Sequence, residues 1–163
     1  MRIYLLRHGI AEEGMGKRDS ERALTPEGIE KVRRLLKVAS RAGVEPALVI
    51  SSPYKRAMET ARIAVDVLAY KGAIVESTCL TPDSSALSAW NDVRIHSSEE
   101  SILLVGHEPL FSSLSAFLLG WSEVQIDFRK GAMLCLDVYS ARPQPAGVLL
   151  WYLTSKLVSA IGS

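Results

Sequence analysis

Short, uninterrupted apolar runs alternate along this chain with longer stretches in which apolar residues recur at helical spacing. The first run, Ile3-Tyr4-Leu5-Leu6, reads as a buried strand. Residues 10–23 are polar, carry Gly14 and Gly16, and read as a surface loop. Thr25-Pro26 then supplies an N-cap and a proline at the first helical position. Ile29, Val32, Leu35, Leu36 and Ala39 follow at helical spacing, and Gly43 closes that helix. A second run, Ala47-Leu48-Val49-Ile50, leads to Ser52-Pro53, again a cap and a first helical position. Ala57, Ala61, Ala64 and Leu68 line one face of the helix predicted there, which ends before Gly72.

The pattern continues with a short third strand over Ala73–Val75 and a weaker helical segment from Thr81-Pro82-Asp83 to about His96, with Leu87 and Trp90 on its apolar side. A fourth strand, Ile102-Leu103-Leu104-Val105, runs into Gly106-His107-Glu108-Pro109 and a helix presenting Leu110, Leu114, Phe117 and Leu118. After Gly120 the pattern changes. Two β-type runs, Ala132–Tyr139 and Val148–Leu153, are joined by a Pro/Gly loop and predict an antiparallel hairpin at a sheet edge. Strands that are apolar on both faces need helices on both sides. The expected fold is therefore a three-layer α/β/α sandwich, with a mostly parallel central sheet and an antiparallel C-terminal edge. Its 163 residues suggest a single domain, 1–163.

Composition narrows the function classes. A formal net charge of +1, with the 19 basic residues scattered, gives no bias toward nucleic acid or an anionic membrane. No apolar run approaches the ~20 residues that span a bilayer, and the first run is interrupted by Arg7, unlike a signal peptide. Cys79 and Cys135 lack metal-ligand or disulfide-framework spacing and read as buried free thiols, which suits a cytoplasmic protein.

In open parallel sheets, ligands bind beyond the carboxyl ends of the strands. That rule collects Arg7 and His8, then Ser51, Ser52 and Arg56, then His107 and Glu108, on one edge. Arg56, in the first turn of its helix, leans back toward the strand ends; pairing with Glu59 or another acid is the alternative. Two guanidiniums, two imidazoles and a helix N-terminus repel one another unless an anion neutralises them, and two arginines can grip phosphate oxygens bidentately. A phosphate site with a histidine nucleophile is the expectation.

The motifs Leu6-Arg7-His8-Gly9, Arg22-Ala23-Leu24-Thr25-Pro26-Glu27-Gly28, Ser51-Ser52-Pro53-Tyr54-Lys55-Arg56-Ala57, Leu80-Thr81-Pro82 and Val105-Gly106-His107-Glu108-Pro109 together resemble the histidine phosphatase superfamily, and its short SixA-type phosphohistidine phosphatases in particular. The resemblance implies a phosphoglycerate mutase-like fold and His8 as the nucleophile that forms a phosphohistidine intermediate. It implies Arg7, Arg56 and His107 as the groups that hold the phosphoryl oxygens, and no metal or cofactor. Arg22 resembles a further phosphate-contacting arginine, with a solvated loop charge beside Asp19 and Glu21 as the alternative.

The substrate stays open between two readings. An alkoxide leaves poorly without a positioned acid, and Asp83 is the candidate general acid; helix capping is its other role. Phosphohistidine releases an imidazole and needs less help, so a phosphorylated protein is the favoured partner, a histidine-containing phosphotransfer domain among the candidates. The alternatives are a phosphomonoesterase acting on a small sugar or nucleotide-derived phosphate and a non-catalytic phosphate-binding module. Glu108 is expected to cap the helix after Pro109 rather than to move protons.

Overall fold

The computed structural model describes residues 1–161. Six strands form one sheet in the order β3-β2-β4-β1-β5-β6. They are β1 (Arg2–Arg7), β2 (Leu48–Ser51), β3 (Ile74–Glu76), β4 (Ser101–Gly106), β5 (Met133–Val138) and β6 (Gly147–Leu153). The first four are mutually parallel; β5 runs antiparallel to β1, and β6 antiparallel to β5 at the edge. The helices are α1 (Pro26–Arg41), α2 (Lys55–Val67), α3 (Ala86–Val93), α4 (Leu110–Leu118) and α5 (Ser155–Ile161).

The side-chain period of two along β1 divides the core between the faces of the sheet. Tyr4 and Leu6 point to one side, among buried residues of α1 and α2 such as Leu35, Leu36, Ala61 and Ala64. Ile3 and Leu5 point to the other, among Trp90 of α3 and Phe111 and Leu114 of α4. Both faces are covered over the central strands β1, β2, β4 and β5, as the continuous apolar runs require, while the edge strand β6 stays largely exposed. This is the expected three-layer α/β sandwich with an antiparallel edge.

Local chemistry explains where the elements begin. Thr25 caps α1, its hydroxyl accepting from the Gly28 amide at 3.0 Å. The second helix starts two residues later than expected, at Lys55, with Tyr54 as an N-cap that provides no side-chain bond. The reason is that the Ser52 hydroxyl is committed elsewhere, to His107 and the Tyr54 amide. The segment expected to be helical from Thr81 breaks up. A 3-10 turn spans Thr78–Leu80, and the hydroxyls of Thr81 and Ser84 both bond the Thr78 carbonyl. Helix α3 starts only at Ala86, capped by Ser85. Asp83 is exposed and is not that cap, and Leu87, 50% exposed, lies outside the core that takes Ala89, Trp90 and Val93. Cys135 is buried as expected, but Cys79 is only half-buried and accepts from Ser88. Helix α5, absent from the sequence reading, packs against α1 and buries Val158.

Two glycines fix how closely the end of β1 approaches α1. A Cβ on Gly9 would lie 2.9 Å from Val32 Cγ2 and 3.0 Å from the Gly28 carbonyl oxygen, and one on Gly28 would lie 2.2 Å from the Ile10 carbonyl oxygen. Backbone therefore meets backbone here, and the residue after His8 must lack a side chain.

Candidate active site

The parallel ladders bring the carboxyl ends of β1, β2 and β4 side by side. Arg7 pairs with Gly106 and Ser51 with Val105, and one residue further on the His8 amide bonds the Gly106 carbonyl at 3.0 Å. The His8 and His107 rings consequently lie 5.0 Å apart, centroid to centroid. From the first turn of α2, Arg56 reaches back over the strand ends, and its Nε lies 3.1 Å from His8 Nε2. His8, Arg56 and His107 are 6%, 5% and 1% exposed, so water does little to screen their charges.

The hydrogen bonds define the tautomer of His8. Its Nδ1 lies 2.7 Å from the Gly9 carbonyl oxygen, which can only accept, so Nδ1 carries the proton. Arg56 Nε–H can only donate, so His8 Nε2 presents a lone pair to it. Burial drives the His8 pKa down to about 3, with Arg56, Arg7 and Lys130 pushing the same way against the Gly9 bond. Burial, then His8 and Arg56, lower His107 to about 2. Both imidazoles are neutral at physiological pH. His8 is thus a neutral histidine with a fixed proton and a lone pair directed at Arg56.

Around this pair the partners are complementary. His107 Nε2 lies 2.8 Å from Ser52 Oγ, the Tyr54 ring packs edge-on against His107, and Arg56 also stacks over Tyr54 at 5.2 Å. Arg7 donates from one terminal nitrogen to the Phe128 carbonyl. Among the described residues, its Nε and the Nδ1 of His107 are buried without partners. Buried polar atoms normally find a partner, so two orphans beside two guanidiniums mark a place suited to an anion. Burial lowers the Arg7 pKa while the Glu108 carboxylate opposes it. Glu108 itself accepts from the Ser112 amide and hydroxyl at 2.9 and 2.6 Å, holding the first turn of α4 as expected.

Asp19 was missed in the sequence. It sits in a 3-10 turn, Asp19–Glu21, within the polar loop. Its carboxylate accepts from Arg56 at 2.9 Å and from Arg22 at 2.8 Å, and its carbonyl accepts from Arg56 at 2.5 Å. Arg56 therefore pairs with Asp19, not with Glu59, which instead accepts from the Leu24 amide. Burial alone would raise the Asp19 pKa, but the bonds from Arg22 and Arg56 hold it below the ordinary value. An ionised carboxylate thus engages the guanidiniums expected to grip phosphate. Arg22 joins the cluster through Asp19, and its Nε also donates to the Glu12 carbonyl. Thr60 was missed too: its hydroxyl accepts from the Gly9 amide and donates to the Arg56 carbonyl, tying β1 to α2. A polar residue one turn after Arg56 was the only trace of it. Among the described residues, no hydrogen bond or ion pair connects Asp83 to the cluster. Among the described residues no group of His, Cys, Asp and Glu side chains is arranged to hold a metal ion, and no helix is long and apolar enough to cross a membrane.

A neutral histidine whose lone pair faces a guanidinium, set at the strand ends of an α/β sandwich, suits an enzyme of phosphoryl transfer. The comparisons agree. The family model of the histidine phosphatase superfamily (branch 1) matches residues 3–77. The phosphohistidine phosphatase SixA of Escherichia coli strain K12 is 30% identical over 120 residues, 72% of this chain and 74% of that protein. The solved structure of the protein histidine phosphatase SixA complexed with tungstate matches with a TM-score of 0.88 at 24% identity, over 97% of this chain and 99% of the other. A mycobacterial glucosyl-3-phosphoglycerate phosphatase complexed with VO3 matches with a TM-score of 0.70 at 17% identity, over 94% and 99%. The chain belongs to the histidine phosphatase superfamily and is a SixA-like phosphatase.

Proposed function

We propose that the protein removes the phosphoryl group from a phosphohistidine on a protein, through a covalent phospho-His8 intermediate. The observation that carries the reading is the His8 tautomer, with Nδ1 held by the Gly9 carbonyl and the Nε2 lone pair directed at the Arg56 guanidinium. In the first step Nε2 attacks phosphorus as the bond to the substrate's imidazole nitrogen breaks. The departing imidazole leaves neutral if its other nitrogen carries a proton, so no general acid is needed. Arg56 gives up its bond to Nε2 and, with Arg7, His107 and Arg22, takes the phosphoryl oxygens, whose charge peaks during transfer. In the second step water attacks phospho-His8, the P–N bond breaks, inorganic phosphate carries away the protons of water, and Nε2 recovers its lone pair.

A phosphorylated side chain is the favoured substrate because the Asp19 carboxylate is engaged by two arginines and kept ionised, which leaves it poorly suited to protonate an alkoxide. The reading takes residues 1–163 as one catalytic domain that works in the cytoplasm without a metal ion. The likeness in fold to a phosphatase of a small phosphorylated sugar acid favours a second reading, a phosphomonoesterase with Asp83 as general acid. Rates measured side by side on a phosphohistidine protein and a panel of sugar phosphates test the choice. Preference for the phosphoprotein is expected; preference for a sugar phosphate, lost in Asp83→Asn, would favour the second reading.

A further inference from the structure

Beside the catalytic cluster, on the antiparallel side of the sheet, lies a groove of about 750 Å³ that the phosphoryl chemistry does not use. Its floor is apolar: Leu134 of β5 and Leu149 and Tyr152 of β6. Its rim is cationic, with Arg129 and Lys130 on the loop before β5 and Lys156 after β6. Among the described residues, the only acid in the lining is Asp127, which is ion-paired with Arg129, and no ion pair neutralises Lys130 or Lys156. Two lysines without an ion-pair partner among the described residues thus share one groove on a chain whose whole net charge is +1.

The groove and the catalytic cluster are built from the same stretch of backbone. The Phe128 carbonyl accepts from the Arg7 guanidinium, the Gly131 amide donates to the His8 carbonyl at 2.9 Å, and the Ala132 carbonyl accepts from the Arg7 amide at 3.0 Å. Tyr152 secures the loop by donating to the Asp127 carbonyl at 2.8 Å while accepting from the Arg129 amide at 2.9 Å. Lys130 is near enough for its charge to act on His8. Chain lying in the groove would therefore place a neighbouring phosphorylated residue within reach of Nε2.

We infer that this groove docks an acidic polypeptide segment flanking the phosphorylated residue of the substrate protein, its carboxylates meeting Lys130 and Lys156 and its apolar side chains covering Leu149 and Tyr152. The inference rests on the protein-phosphatase reading and names the surface by which the enzyme selects among phosphoproteins. Rim charges of this kind act on encounter and selectivity, and they weaken as salt screens them.

The test uses two synthetic phosphohistidine peptides, one with Asp/Glu flanks and one with neutral flanks, alongside a small aryl phosphate. The enzyme should hydrolyse the acidic peptide about tenfold faster in kcat/KM than the neutral one, with the advantage shrinking as salt is raised. Lys156→Glu should abolish that advantage and Lys156→Ala should reduce it, at an exposed side chain, while activity on the aryl phosphate stays within about twofold in both. Equal rates on the two peptides, or equal losses on peptide and aryl phosphate in the variants, would overturn the groove and leave the phosphohistidine reading standing. An enzyme that hydrolyses the aryl phosphate but neither peptide would overturn the phosphohistidine reading, and the groove with it.

Discussion

His8 and His107 stand on strand ends tied into the sheet, whereas Asp19 and Arg22 stand on a loop held to the site by side chains. The His8 amide continues the ladder to Gly106, and the Ser52 amide continues the ladder to Val105. Opposite them, Asp19 is joined to Arg56 and Arg22 by charge-assisted bonds, and 53% of its side chain is exposed. The first wall is preorganised by backbone, which costs nothing at the moment of reaction. The second is held by ionic bonds that, in the proposed mechanism, an incoming phosphate competes for. Under the proposed mechanism, the difference gives chemistry to the strand ends and control of phosphate entry to the loop.

Arg56 belongs to both walls, so breaking it should have the largest effect. Arg56→Ala is predicted to lower kcat about 10²–10³-fold, as loss of a transition-state charge donor does elsewhere, with thermal melts confirming a folded protein. A loss below tenfold would remove Arg56 from the transferring group.

The depressed histidine pKa values make the next prediction. In a histidine of ordinary pKa near 6.5 the protonated form would outnumber the neutral about thirty to one at pH 5, whereas His8, at about 3, keeps its lone pair there. Because kcat/KM reports the free enzyme, its acid limb should lie well below pH 6, measured on a substrate that does not titrate in that range. The linked effect on folding has a definite sign. Between about 6.5 and about 3 the unfolded chain binds protons that native His8 and His107 refuse. Stability is therefore lost as pH falls through that window, and melting temperature should track it.

The loop wall should respond more mildly. Arg22→Ala is expected to raise KM about tenfold with a smaller change in kcat, since it removes the contact proposed for Arg22 with the phosphoryl oxygens, at a partly exposed position. Asp19→Asn removes the competing charge while keeping the shape, and should lower the inhibition constant of inorganic phosphate a few-fold, roughly in line with one charge-assisted bond. Weaker phosphate binding in Asp19→Asn would mean that Asp19 aligns the arginines more than it opposes phosphate.

The same division explains what could be read from residues alone. The strands of the parallel half announce themselves as runs such as Ile102–Val105, and the rule that ligands gather at carboxyl ends places His8, Arg56 and His107 together. Asp19 lies in a polar loop without periodicity, where nothing in the spacing says which acid folds inward. Helix α5 escaped because its seven residues bury only Val158. Ser85 rather than Thr81 starts α3 because hydroxyls of Thr81 and Ser84 close a competing turn on the Thr78 carbonyl. Hydrophobic patterning locates layers; side-chain hydrogen bonds within loops become visible only in three dimensions.

The central claim is that His8 carries the phosphoryl group. Rapid quenching of the enzyme with a phosphorus-labelled phosphohistidine substrate tests it most directly. The account predicts an acid-labile, base-stable label on His8 that forms and decays at rates compatible with turnover, with His8→Ala neither labelled nor active. Normal turnover by His8→Ala, or a label on any other residue, would contradict it.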